Sequence, residues 1–442
     1  MASDVAMLLG MGFTVVVLGL SVLTLLVRRD LAPAQKLAGS RQVMIGGALG
    51  LGIFAFAFKL AVIFTLVMAP DWTTRALLRS QAGKYHISRM TEVASTPGLA
   101  VVSPWQALPE TAVRPTDSPA LTALGKRLFH ETALSGDGTL ACVSCHDLGR
   151  GAGADGRATA TGIAGQVGGR NVPTVYNAAF QARLFWDGRA GSLEEQAMGP
   201  ILNPIEMGMP DAAAAERALA ANPDYAAAFR DAFGDERISF ERVARAIAAY
   251  ERTLVTRDAP YDRFMAGDVT ALSAQQRRGM ALFQSLGCIL CHQGPNFSGA
   301  ATVGFMKRPF ATLDVRNVAI AKPFDLARDR GRAGKDAAVG VWRIPSLRNV
   351  ALTGPWLHNG AVDDLATVVK IMATVQIRAV VGDAGADQLA TVAWSPATRS
   401  FQRVVRKHVS EADVADLVAF LKALSSDRLR SASDEARRSE TP

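Results

Sequence analysis

Apolar positions along this chain follow two patterns. Near the amino terminus they are continuous: Val5 to Val27 is an unbroken apolar run, and Val43 to Ala69 is a second, interrupted only by Lys59. Each is long enough to cross a bilayer as a helix. The first is too long, and lacks the basic start, for a cleaved signal peptide. Farther on, apolar residues recur at helical spacing. Ala120–His130 and Ala274–Ser285 are predicted helices, carrying Gly125-Lys126-Arg127-Leu128-Phe129 and Gly279-Met280-Ala281-Leu282-Phe283. Ser239–Val255 and Glu411–Leu424 are predicted amphipathic helices that close the same plan twice. An internal duplication follows. The chain reads as all-α, two small helical domains in tandem preceded by an N-terminal transmembrane helical hairpin.

All four cysteines sit in two copies of one pentapeptide, Cys142-Val143-Ser144-Cys145-His146 and Cys288-Ile289-Leu290-Cys291-His292. This is the spacing by which haem is held covalently: each thiol adds to a vinyl group and the adjacent histidine ligates iron. A structural zinc site wants four ligands, and no cysteine is left over to close either one. A disulfide within each pair would leave the repeated histidine unexplained. Two covalently bound haem c groups are expected, with His146 and His292 as proximal ligands. The expected organisation is a membrane anchor over 1–70 (spans at about 5–27 and 43–69), a linker over 71–117 and haem c domains over 118–268 and 269–425. A disordered tail over 426–442 completes it.

Haem attachment of this kind takes place outside the bacterial cytoplasmic membrane. The loop between the runs carries Arg28, Arg29, Lys36 and Arg41, whereas no Lys or Arg precedes the first run. The positive-inside rule makes that loop cytoplasmic and both ends periplasmic. Arg75, Arg79, Lys84 and Arg89 oppose the rule, so the haem chemistry decides the orientation. Lys59 would lie near the outer interface and snorkel. A start at Met44 would leave a single anchor. The expected location is the bacterial inner membrane, with the haem domains in the periplasm. The net charge of +8 is spread along the chain, so no nucleic-acid partner is expected.

Between and after the haem motifs stand Arg170-Asn171-Val172-Pro173-Thr174-Val175, Phe185-Trp186-Asp187-Gly188-Arg189-Ala190, Ser192-Leu193-Glu194-Glu195-Gln196-Ala197 and Asn203-Pro204-Ile205-Glu206-Met207-Gly208. Pro345-Ser346-Leu347-Arg348-Asn349-Val350, Thr353-Gly354-Pro355 and His358-Asn359-Gly360 follow. In this order they resemble the bacterial di-haem cytochrome c peroxidase family, which also contains the MauG-like enzymes. The likeness runs from about Ser118 to Leu424.

That resemblance implies that the first haem is the peroxide site, with Glu206 above it as general acid/base beside Gln196 and Pro200. A carboxylate suits the chemistry, because heterolytic O–O cleavage moves a proton from one oxygen to the other. Trp186 resembles the tryptophan between the haems. The second haem receives electrons, and Met372 matches the axial methionine of the peroxidases, where MauG-like enzymes have tyrosine; Met306 is the fallback. A thioether raises the haem potential. Asn171, Thr353 and Pro355 match the family's calcium site, with the hard oxygen donors Ca2+ prefers. Many members cap the first haem with a histidine in the following loop. Here the loop is Thr161-Gly162-Ile163-Ala164-Gly165-Gln166, and no histidine lies between His146 and His292. An open first haem is expected, with Met198, Met207 and Met209 as the only substitutes considered. His358 is left without a role.

The expected activity is reduction of hydrogen peroxide to water with electrons from a small periplasmic donor such as a cytochrome c, or from a membrane quinol. A MauG-like oxidase acting on a protein tryptophan or tyrosine is the first alternative. A non-catalytic electron-transfer or sensor cytochrome is the second. A homodimer and an occupied calcium site remain open.

Overall fold

The structure is a computed structural model that describes residues 105–149, 151–303, 308–382, 390–395, 400–405 and 407–439. The runs Val5–Val27 and Val43–Ala69, and Met306, lie outside the described residues. The chain divides into Met1–Ala100 with Trp394–Gln402, and Val101–Ala393 with Arg403–Pro442; both cysteine motifs belong to the second unit.

Helices dominate. In the first haem-motif lobe they are α1 (Pro119–Phe129), α2 (Cys142–Cys145), α3 (Leu193–Leu202), α4 (Ala212–Ala220), α5 (Asp224–Phe233) and α6 (Phe240–Glu251). In the second they are α7 (Pro260–Met265), α8 (Ala274–Ser285), α9 (Leu365–Gln376), α10 (Glu411–Lys422) and α11 (Asp427–Ser439). The all-α expectation is corrected by three two-stranded sheets. Strand β1 (Phe310–Leu313) pairs antiparallel with β2 (Gly340–Arg343), Phe310 opposite Arg343. The others join β3 (Val380–Val381) in parallel to β6 (His408–Val409), and β4 (Ala390–Ser395) to β5 (Ser400–Val405). Strands of two to six residues within turn-rich sequence give too few alternations to be seen. The hairpin is also without support: among the described residues no helix is long and apolar enough to cross a membrane. The expected disordered tail is corrected as well, since α11 buries Leu429 in the first lobe's core.

The duplication is visible atom by atom. Serine caps start the paired helices: Ser118 and Ser239 cap α1 and α6, Ser273 and Ser410 cap α8 and α10. Helix α1 crosses α6 where a Cβ on Gly125 would stand 1.8 Å from the Ala246 carbonyl oxygen. Helix α8 crosses α10 where one on Gly279 would stand 1.9 Å from that of Asp416. No other residue permits either approach. Asn177 (φ 60°) and Asn349 (φ 61°) both take the left-handed conformation that asparagine tolerates. Their N–H groups donate to Leu254 O (2.9 Å) and Leu424 O (3.1 Å), and their Oδ1 atoms accept from Thr256 N (3.0 Å) and Ser426 N (2.9 Å). The two asparagines then meet, because both Nδ2 groups donate to the Thr256 hydroxyl, at 2.9 and 3.1 Å.

Residues 105–117, expected as a linker, are packed. Trp105 lies in an aromatic cluster with Tyr261, Phe283, Phe297 and Phe420 of the second lobe, its indole N–H on Gln284 Oε1 at 3.0 Å. At the other end Asp117 holds the buried Arg252 of the first lobe at 3.2 Å.

Candidate haem-binding and active site

Each motif is a single helical turn that closes on its histidine. His146 N–H donates to Cys142 O (2.9 Å) and His292 N–H to Cys288 O (3.0 Å). The ring Nδ1 of His146 lies 3.0 Å from Gly153 O, and that of His292 lies 3.1 Å from Phe297 O. A carbonyl at Nδ1 fixes it as the donor and leaves Nε2 as the free ligand atom. Burial holds both rings neutral, His292 down to about 4. None of the four cysteines is in a disulfide, and burial pushes the thiols of Cys142 to about 12 and Cys288 to about 11. Two thiols and one oriented imidazole per motif suit haem. A further pair of buried nitrogens has no partner in the protein. The buried rings of Trp342 and His358 stack at 4.0 Å, and Trp342 Nε1 and His358 Nε2 have no partner in the protein. A buried unpaired polar group costs about 1–3 kcal/mol; a carboxylate such as a haem propionate is the kind of group that would satisfy them.

Glu206 follows α3 in a loop that is interlocked with residues 161–166. Ile163 N–H donates to Glu206 O (2.9 Å), and Gln166 Nε2 donates to Pro204 O (2.9 Å). A Cβ on Gly162 would stand 1.7 Å from Ile205 O, so only glycine lets these loops touch. Gly136 N–H braces the same loop through Met207 O at 2.7 Å. The Glu206 carboxyl is half-buried; Oε1 accepts from Asn203 Nδ2 at 2.9 Å. Burial raises its pKa, against the lowering effect of Arg189 and Asn203. The same carboxyl raises the thiol of Cys145, which ties it electrostatically to the first motif. Gln196 is half-buried on α3, and Pro200 has no N–H to offer the Gln196 carbonyl. Met207 and Met209 are buried in the core, and Met198 packs against it.

Trp186 donates Nε1–H to Asn171 O at 2.9 Å and accepts Arg343 N–H at 2.9 Å, so it bridges the first lobe and β2. Beside it Arg170 pairs with Asp187 and Asp329, both at 2.7 Å. Asn171 is 8 % exposed. Its N–H donates to His358 O and its Nδ2 to Arg157 O, each at 2.9 Å, which leaves Oδ1 for another group. Thr353 and Pro355 lie on the segment that leads to His358. Met372 is half-buried on α9 against Val315, Ala321, Leu326, Val362 and Ile371. Helix α9 packs on α10 and α10 on α8, the helix leading into Cys288.

Sequence reasoning quoted Arg170, Arg189 and Asn203 within the family motifs without giving them a role, and it did not single out Trp342. Asn203 was findable, three residues before Glu206. The others meet their partners across intervening loops: Arg170 reaches Asp187 17 residues on and Asp329 159 residues on. It also missed Glu251, 3 % exposed at the end of α6, whose Oε2 has no partner. Burial pushes Glu251 to about 8, with Arg252 lowering and Glu194 raising it. The folded state then keeps a proton that the unfolded state loses near the ordinary carboxylate value. Stability falls as pH rises from there to about 8, and is flat beyond. Glu251→Gln should abolish that fall, on the order of a few kcal/mol. Melting curves of both proteins at acid and alkaline pH check it; equal pH dependence would show that Glu251 is ionised in the fold.

A family model described as "Di-haem cytochrome c peroxidase" matches residues 119–270. The chain is 38 % identical over 314 residues to cytochrome c551 peroxidase of Pseudomonas aeruginosa, covering 70 % of this chain and 79 % of that protein. This chain belongs to the di-haem cytochrome c peroxidase family. It is 31 % identical to methylamine utilization protein MauG of Methylophilus methylotrophus, over 73 % of this chain and 88 % of that one. Among solved structures, the diheme peroxidase BthA from Burkholderia thailandensis is similar at TM-score 0.53 and 28 % identity, covering 71 % of this chain and 87 % of that one. This di-haem peroxidase is accordingly an oxidoreductase with two haem cofactors.

Proposed function

We propose that this enzyme reduces hydrogen peroxide to two waters in the periplasm, with electrons from a small carrier protein such as a cytochrome c. The observation that carries this reading is the Glu206 carboxyl, half-buried, raised in pKa and electrostatically coupled to Cys145 of the first motif. Haem c, held through Cys142, Cys145 and His146 and through Cys288, Cys291 and His292, supplies the iron that binds peroxide and passes electrons. Glu206 does the proton work: Asn203 holds Oε1, so Oε2 takes the proton from one peroxide oxygen and returns it to the other. Gln196 orients the peroxide, and Trp186 lies on the path between the lobes. Calcium, held by Asn171 Oδ1 with the Thr353 and Pro355 carbonyl oxygens, would stiffen that path.

Met372 would supply the thioether that holds the second haem, whereas no histidine between His146 and His292 is available to do the same at the first. Oxidised protein never exposed to reductant should show one high-spin and one low-spin haem and react with peroxide without a lag. Met372→Leu should turn the second haem high-spin, lower its potential and slow donor oxidation more than the first reaction with peroxide. Two low-spin haems with a reductant-dependent lag would refute this arrangement.

Steady-state peroxide consumption with reduced cytochrome c, compared with a quinol, tests the function. The absence of a histidine between His146 and His292 favours a second reading, a MauG-like oxidase of a protein side chain. Oxidation of a protein tryptophan or tyrosine without turnover of any carrier would establish it.

A further inference from the structure

The two motifs stand in opposite electrostatic settings. At the first, the carboxylates of Glu251, Asp155 and Glu206 all act on the thiols, against the single cation of Arg157. At the second, the charged side chains acting on Cys288 and Cys291 are Lys407 and Arg308, both cations. Lys407 Nζ donates to Leu286 O at 2.7 Å. A Cβ built on Gly287 would lie 3.9 Å from that nitrogen and 3.5 Å from Leu290 Cδ1, so the ammonium overhangs the motif. On the other side Arg308 N–H donates to Gly299 O (3.0 Å), and Gly299 N–H donates to Cys291 O (2.7 Å). Inside the motif itself, Leu290 is 58 % exposed. The nearby carboxylates of α10 are already engaged, Glu411 by Lys370 at 2.8 Å and Asp416 by Arg278 at 2.7 Å.

An exposed apolar residue with cations acting on the same motif, at the cysteines that would carry a redox group, is what a transient electron-transfer encounter uses. Contact area there is small, and charge supplies orientation and on-rate. We propose that Leu290, with Lys407 and Arg308, is the docking surface for an acidic electron-carrier protein that reduces the second haem. The proposal rests on the peroxidase reading and adds the chemistry of the donor. Two carriers dock in turn and each loses one electron. The two electrons, with two protons from solvent, convert one peroxide into two waters.

The test titrates the holoprotein calorimetrically with plant plastocyanin, an acidic copper carrier, and with mitochondrial cytochrome c, a basic one. Plastocyanin should bind, more weakly as salt rises, and cytochrome c should not. Lys407→Glu and Arg308→Glu should each weaken plastocyanin binding roughly tenfold at low ionic strength, and Leu290→Asp at least as much, whereas Lys407→Arg should keep it. For Lys407→Glu and Arg308→Glu the KM for plastocyanin should rise in step, with turnover of peroxide by an uncharged phenylenediamine unchanged. Tighter binding of cytochrome c, or plastocyanin binding indifferent to the charge reversals, would overturn the proposal. Because the titration needs no turnover, the surface is judged by it alone. Absence of peroxide consumption with the phenylenediamine would sink the peroxidase reading by itself.

Discussion

Glu206→Gln is expected to lower peroxide turnover by about 100- to 10,000-fold, the range a positioned proton carrier contributes, with both haem spectra unchanged. The glutamine side chain can still turn its oxygen toward Asn203 Nδ2, so the loop contacts through Ile163 and Gln166 survive. What it cannot do is accept and return a proton. The pH profile provides a second reading of the same residue. Because burial raises this carboxyl, kcat/KM of the wild type should fall on the acid side at a pH above the ordinary carboxylate range. Asn203→Ala removes a bond that lowers the pKa, so it should move that limb still higher. In Glu206→Gln the limb should vanish. Wild-type turnover in Glu206→Gln would show that water or another group moves the proton.

Arg348→Met is expected to destabilise the second lobe by about 3–5 kcal/mol, because it strands a buried carboxylate. Arg348 is 2 % exposed and Asp262 is 8 % exposed. The guanidinium donates to both Asp262 oxygens, at 2.9 and 3.0 Å, and its Nε donates to Pro295 O at 2.7 Å. One side chain thereby pins α7, the segment after the second motif and the Pro345–Val350 stretch. After the substitution Asp262 keeps the Ala259 N–H at 3.1 Å. A fall in Tm of roughly 10 °C should follow. Pairing the change with Asp262→Leu should recover much of the loss, since the buried charge then goes too. A double variant as unstable as the sum of the two single ones would show that the pair's charges are not what matters.

The legible parts of this protein were those written locally. A pentapeptide carries its whole pattern in five neighbouring residues, so the expectation of two haem cofactors could be read directly from its two copies. Helices of eleven or twelve residues in the two haem-motif lobes repeat their apolar period often enough to be seen, which gave α1, α6, α8 and α10. The four-residue strands β1 and β2 do not, and α11 is polar nearly all round, with Leu429 its only large apolar residue facing the core. The duplication was inferred from helices and cysteines, yet its most faithful part is the asparagine pair at 177 and 349, which depends on φ and on distant carbonyls. Glu206 came from the family likeness. Its electrostatic neighbour Arg189 had no local signal, because the contact is made only by folding.

The two anchors of the segment before α1 bear on electron movement. Trp105 is set in the second lobe and Asp117 in the first, so the backbone crosses between lobes here as well as at residues 256–268. A protein with one crossing can hinge; one with two is braced against it. Tunnelling rates between redox centres fall exponentially with separation, so a second tie between the lobes that carry the two motifs is expected to hold constant whatever length an electron must cross between them.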